Sequence, residues 1–383
     1  MFKPNYPFYD AENFSMLSTP ERVGADSAYT GRGVGIAFID SGFYPHPDLG
    51  DRVVCHADAT SNRIIEGRRF HEPEGYAWHG QMTSVIAAGD GRTSGGKFRG
   101  IASNAHLVLI KISTRKFRIK EPDILRGMEW LIANHQRFNV RILNISVGGD
   151  EVSTDPTHPL YKAVRTLNEQ GVVVMVAAGN SGMQMLVPPA SAPGAITVGG
   201  YNDQNSLDPA LYVPYPNNYG YTYDGQPKPE IVAPCVWIPS PIMPETSEAR
   251  EAYWLAQLLH TSDPTEINRL IWEGQRDLGI LPEAARNPDQ SVYQFVQERI
   301  HKHKIIDAHH QHVDGTSVST PIVASVVAQL FEIEPRLTPA EVRTILTASA
   351  QPFSDRDPLT QGAGRLDARK AVAMLTQAKH AAN

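Results

Sequence analysis

The stretch GRGVGIAFIDSG, residues 31–42, decides how the rest of the chain is read. Glycines beside an apolar run invite a dinucleotide-binding loop, but such a loop needs its glycines after a strand and before a helix. Here they come first. Residues 34–39 form a short apolar run, the pattern of a strand buried on both faces, and the run is closed by a carboxylate, Asp40. Four more runs have this form, at 107–112, 140–147, 172–178 and 196–198. Helical stretches lie between and around them at 80–88, 122–134 and 159–170. Strands alternating with helices predict an α/β fold, a mostly parallel central sheet flanked by helices. In such a sheet, sites form beyond the carboxyl ends of the strands.

The 383 residues suffice for one large domain or two ordinary ones. A net charge of −6 argues against a nucleic-acid-binding surface. No run of about 18 apolar residues appears, so no membrane span is expected. The opening MFKPNYPFYDAENF lacks a basic segment followed by an apolar one, so no secretory signal is expected. Cys55 and Cys235 can form one disulfide at most, cannot make a four-cysteine zinc site, and without a secretion signal are expected to stay reduced.

Residues 241–312 break the alternation. Three helices are predicted there in succession, the second with Asp263 as N-cap and Pro264 behind it, the third opened by Asn287-Pro288. This reads as a small helical insertion with its own apolar face. Beyond it, 317–331 reads as a long buried helix, Thr338 caps another, and Asp367 starts the last.

Four polar residues fall where the fold would place a site. Asp40 closes the first strand, His79 opens a helix in WHGQMTSVIAAG, Asn180 ends a strand in AAGN, and Ser317 opens a helix in HVDGTSVSTPIVA. Each alone has an ordinary structural explanation as a cap, a turn residue or a satisfied core histidine. Together they fit one task. A serine hydroxyl needs a base to take its proton, and histidine can do so near neutral pH. A buried aspartate fixes the imidazole tautomer, and an asparagine amide can donate to a developing oxyanion.

The order Asp…His…Ser, and the segments around these residues, resemble the subtilisin-like serine proteases, the subtilases. AFIDSG with HPDL after it resembles the family's aspartate motif at Asp40, and HG after Trp78 its histidine motif at His79. LNISVGG resembles the segment that walls the primary specificity pocket, here Ser146, Val147, Gly148 and Gly149. AAGNSG resembles the oxyanion segment with Asn180, and GTSVSTP the nucleophile motif with Ser317. KPEIVAP at 228–234 and GAGRLDARKAV at 362–372 match two further landmarks. Gln81 and Met82 stand where the family usually has a threonine and a second histidine.

The resemblance implies a subtilisin-like three-layer fold and a serine endopeptidase acting on protein or peptide substrates through an acyl-enzyme. It divides the chain into an N-terminal extension (1–20), a catalytic domain (21–240 and 313–383) and the helical insertion (241–312). No cofactor is implied for catalysis. The family often holds structural calcium, and Asp48 matches one ligand position, yet the loop at 90–97 offers few oxygen side chains for a hard cation. The segment before residue 34 is short for a propeptide, so the expectation is an intracellular, cytoplasmic enzyme, with a secreted mature chain lacking its propeptide as the other reading; neither nucleic acid nor membrane is expected as a partner. The alternative is a catalytically silent homologue that captures peptides. The run HKHKIIDAHHQH, 301–312, is expected to be a solvated, mobile linker rather than a metal site.

Overall fold

The computed structural model describes residues 2–7, 16–67, 76–113 and 119–382. A short helix, α1 (Thr19–Val23), precedes β1 (Gly35–Asp40), β2 (Val53–Asp58) and β3 (Ile65–Gly67). Then come α2 (Ala77–Ala88), β4 (His106–Lys111), α3 (Glu121–Asn134), β5 (Val140–Ile145), α4 (Pro159–Glu169), β6 (Val173–Ala177) and β7 (Ile196–Asn202). Four short strands follow, β8 (Val213–Pro214), β9 (Gly220–Tyr221), β10 (Pro227–Lys228) and β11 (Ile231–Pro234). The order across the main sheet is β11-β7-β6-β5-β1-β4-β2-β3, with β8 beside β7. Every pairing from β11 to β2 is parallel, and only β3 and β8, at the margins, run antiparallel.

The chain lays β2 and β4 on one side of β1 and then crosses to β5 on the other. That reversal makes the carboxyl end of β1 the switch point of the sheet, where a crevice opens between diverging connections. Strand period two sends Ile36 and Phe38 to one face and Ala37 and Ile39 to the other. The first face is covered by α2 and α9 (Thr316–Ile333), with α10 (Pro339–Ser349) and α12 (Ala368–Ala382) outside them and the one-turn α11 (Pro358–Gln361) between these two in the chain. The second is covered by α3 and α4. Among the described residues, α9 alone has the length and hydropathy of a membrane span; it is the central core helix, 83% buried.

The remaining elements form the insertion and its root. β12 (Ile238–Pro241) pairs antiparallel with β13 (His310–Val313), and between them lie α5 (Ser247–His260), α6 (Pro264–Leu278), α7 (Pro282–Arg286) and α8 (Gln290–His303). Four helices stand where the sequence predicts three, because Pro282 starts the extra turn α7. Asp263 and Asp289 cap their helices, accepting from the backbone N–H of Thr265 and Ser291 at 3.0 and 2.9 Å. Leu255, Ile271 and Val296 make a separate apolar core, into which Phe2 is inserted.

The histidine run corrects the linker expectation. His301 and His303 belong to the last turn of α8, while His310 and His312 are strand residues, 2% and 4% exposed. His310 Nδ1 bonds Asp307 at 2.8 Å, and the His312 ring lies edge-on to Tyr6 and Trp237. Alternation in His-Gln-His-Val sets 310 and 312 on one face, so strand pairing and ring packing override polar composition.

Candidate active site

Asp40 sits at the switch point and is fully buried. A buried carboxylate must be met by donors. The Ser41 N–H donates to Oδ1 at 2.6 Å, the Ser41 hydroxyl to the same oxygen at 3.1 Å, and the Thr83 hydroxyl reaches Oδ2 at 3.5 Å. His79 completes the set, with Nδ1 2.7 Å from Asp40 Oδ1. A carboxylate only accepts, so Nδ1 carries the proton and Nε2 is left as the acceptor facing the crevice. Burial opposes a charged ring on His79, but the charge of Asp40 and its hydrogen bond outweigh this and raise the pKa above the ordinary histidine value. Thr83 was not singled out from the sequence. Its signal was the i, i+4 spacing from His79, which puts both side chains on one face of α2.

Ser317 is the second residue of α9. Gly315 before it has φ 124°, a conformation open to glycine and costly for other residues. The Ser317 hydroxyl donates to the Ser146 carbonyl at 3.1 Å, and the Ser146 hydroxyl donates back to the Ser317 carbonyl at 3.2 Å. Pro321 explains the second bond. A helix would normally direct the N–H of residue 321 to the carbonyl of residue 317, but proline has none. The Ser317 carbonyl is therefore free for Ser146. The Ser317 N–H lies in the first turn, among the donors a helix leaves without intrahelical partners.

Asn180 Oδ1 accepts from the Thr316 N–H at 2.8 Å and the Thr316 hydroxyl at 3.0 Å. A backbone N–H can only donate, so the amide orientation is fixed, with the Nδ2 donor on the opposite branch. The Thr316 hydroxyl also accepts from the Gly179 N–H at 3.1 Å. One threonine thus locks the strand-end asparagine to the start of α9. Thr316 too was missed, because its role depends on two segments 136 residues apart.

The residues expected to wall a pocket form a continuous edge. Ser146 is buried against Ser317, Val147 is half-buried, and the Gly149 N–H donates to the Pro188 carbonyl at 2.7 Å. A Cβ on Gly148 would stand 2.9 Å from Val187, so 146–149 and 187–188 face each other closely. The structure adds a carboxylate to this edge. Glu121, at the start of α3, accepts from the Asp150 N–H at 3.2 Å and pairs with His158 at 3.3 Å, and a Cβ on Gly149 would lie 2.3 Å from its Oε1.

Asp48 does not offer its oxygens to calcium. Oδ1 accepts the Thr93 N–H at 2.9 Å and Oδ2 the Thr93 hydroxyl at 3.0 Å, while nearby Asp90 is paired with Arg92. Among the described residues, no group of three or more His, Cys, Asp or Glu side chains comes together here to supply the oxygens a hard cation takes.

A mostly parallel sheet with aspartate and histidine joined at its switch point, and an asparagine locked to the start of the helix that carries the serine, has the architecture of a subtilisin-like serine protease. The chain belongs to the subtilase family, whose model matches residues 31–369. It is 29% identical over 361 residues to the serine protease AprX of Bacillus subtilis (strain 168), covering 92% of this chain and 69% of that one. A thermostable alkaline protease of Halalkalibacterium halodurans is 30% identical over 203 residues, with 51% of each chain covered. Among solved structures, the protease domain of PatA aligns at TM-score 0.60 and 21% identity, over 91% of this chain and 96% of that one. A Pseudoalteromonas arctica protease aligns at TM-score 0.61 and 19% identity, over 97% and 99%. At such identities these two bear on the fold alone. The family acts on protein or peptide substrates and needs no cofactor for catalysis.

Proposed function

We propose that this chain cleaves peptide bonds internally through an acyl-enzyme on Ser317. His79 Nε2 takes the Ser317 proton as Oγ attacks the substrate carbonyl, and returns it to the departing amine. Water then repeats the sequence and releases the acyl part. Asp40 holds the ring in the required tautomer and balances its charge while it carries the proton. Asn180 Nδ2 and the Ser317 N–H stabilise the oxyanion. For the first step the Ser317 hydroxyl must turn from the Ser146 carbonyl, to which it donates at 3.1 Å, toward His79. Residues 146–149 line the strand of substrate on the acyl side.

The observation that carries this reading is the 2.7 Å contact between His79 and a fully buried Asp40. A peptide-capturing module would have no use for that arrangement. The test is labelling by a serine-directed fluorophosphonate, which should mark the wild type on Ser317 and leave Ser317→Ala unmarked, with peptidase turnover lost in the variant. Near-normal turnover by Ser317→Ala would refute it.

The reading includes work inside the cell. Its support is that Cys55 and Cys235 are buried free thiols, which suit a reducing compartment. Recovery of the activity from the medium, rather than from the cells, would count against it.

A further inference from the structure

A cleft of about 560 Å³ opens between the catalytic helix and the root of the insertion. Trp78, the neighbour of His79, forms one wall; Ile242, Met243 and Gln311 form the floor; Glu245 and Glu248 stand at the rim. Ile242 and Met243 are buried, whereas both glutamates are exposed. Tyr44, in the loop that follows Asp40, lies near Glu245; burial, with the charge of that carboxylate, raises the tyrosine pKa. None of the described residues lining the cleft is basic. Among the described residues near it, Arg250 pairs with Asp277 at 3.2 Å, and burial holds the His303 ring below the ordinary histidine pKa and so uncharged.

The place of this cleft along a bound substrate follows from Ser317. On one side its hydroxyl meets Ser146, the start of the acyl-side edge. On the other side β13 runs up to it from the hairpin, and β12 packs on α2, which carries His79. The cleft lies on this second side, where the chain beyond the scissile bond must pass. Its chemistry asks for a side chain with an apolar stem and a positive tip. The stem would lie along Trp78, Ile242 and Met243, and the tip would reach Glu245 and Glu248.

We propose that this cleft receives a lysine or arginine side chain of the substrate from the leaving-group side of the scissile bond. The inference rests on the proposed function, since it takes Ser317 as the point of cleavage. Glu245 and Glu248 belong to the insertion, so the insertion sets specificity there.

The test uses peptides with one fixed acyl part and lysine, leucine or glutamate at each of the first three leaving-side positions. At one position kcat/KM for lysine should exceed that for glutamate by roughly three- to tenfold, the scale of one or two half-exposed charge pairs, and the ratio should shrink in high salt. In Glu245→Gln/Glu248→Gln the ratio should fall to about 1; because it is taken within each enzyme, a general loss of activity cancels. Equal rates at every position would overturn the inference. An anilide with the same acyl part offers the cleft nothing and reports the triad alone, so its hydrolysis alongside equal peptide rates defeats the inference and leaves the proposed function standing. Binding of the same peptides to Ser317→Ala, by fluorescence anisotropy, reads the cleft without turnover: tighter binding of the lysine peptide supports it, and equal affinities overturn it.

Discussion

A hydroxyl at a helix start becomes a candidate nucleophile only through what its neighbours are prevented from doing. Pro321 withholds a donor from the Ser317 carbonyl, Thr316 keeps the Asn180 carbonyl turned away, and Asp40 keeps the His79 proton on Nδ1. Two predictions belong at this scale. Asn180→Ala should lower kcat by about 10²–10³ with little change in KM, a magnitude taken from subtilisin. A loss confined to KM would mean that Asn180 only binds substrate. The second concerns pH. Only the neutral ring can take a proton, and Asp40 raises the His79 pKa, so kcat/KM should fall in acid with a midpoint above about 6.5. Asp40→Asn removes the charge responsible and should move that midpoint down; a pH profile with the same midpoint in both enzymes would exclude the pairing as its cause. Asp40, His79, Asn180 and Ser317 could be picked out as candidates because each sits in a compact motif at or just beyond the end of an element. Thr316 could not, since its partner lies in a segment 136 residues away; Thr83 offered only its i, i+4 spacing from His79, which does not by itself point to Asp40. Glu121 was hidden for the same reason: it reaches Gly149 from the start of another helix.

Elements buried on both faces announce themselves as continuous apolar runs, which is why β1, β4, β5, β6 and β7 were legible to within a few residues. Elements at a margin do not. β2 is interrupted by His56, β12 contains two prolines, and β13 reads as a histidine cluster, so their pairing comes from tertiary context. The turn before β2 carries a further prediction. His46 Nδ1 accepts the Asp48 N–H at 3.2 Å and caps the 3-10 segment Pro47–Arg52. Burial, against the opposing pull of Asp48, lowers its pKa to about 4. A histidine kept neutral in the fold but free to protonate when unfolded contributes stability above pH ~6.5, lost as pH falls toward the folded value. His46→Asn keeps an acceptor for the cap and removes the titration. Between pH 7 and 5, urea unfolding should show the wild type losing about 2 kcal/mol more than the variant. Parallel losses would mean that His46 titrates as it does in the unfolded chain.

At the scale of the whole molecule, three apolar cores make up the chain, one on each face of the sheet and one in the insertion. The motif-bearing core could be read from order along the chain, but the placement of the insertion could not, because no local pattern tells α5 to α8 which surface to meet. The structure roots them in β12 and β13, beside α2 and a few residues before Ser317. The extension adds a second tether: Phe2 is buried in the insertion's core, the backbone of Lys3 is bonded twice to Gln297, and the Tyr6 hydroxyl donates to the Ile305 carbonyl. A unit with its own core, held at two points beside α2, should act as a fixed wall rather than a loose flap, and on the proposed reading that wall stands on the leaving-group side. Such a wall costs a short peptide little, but it obstructs a folded chain that must bring bulk on both sides of the bond. Replacing 244–307 with a short Gly/Ser linker keeps the β12–β13 ladder and removes the wall. A companion variant also lacking residues 2–7 controls for the Phe2 left without its pocket. In both, cleavage of a large, loosely folded protein should rise several-fold relative to a short peptide that has an uncharged leaving side, because only the larger substrate meets the wall. If the two rates change in parallel, the insertion serves stability and does not restrict access.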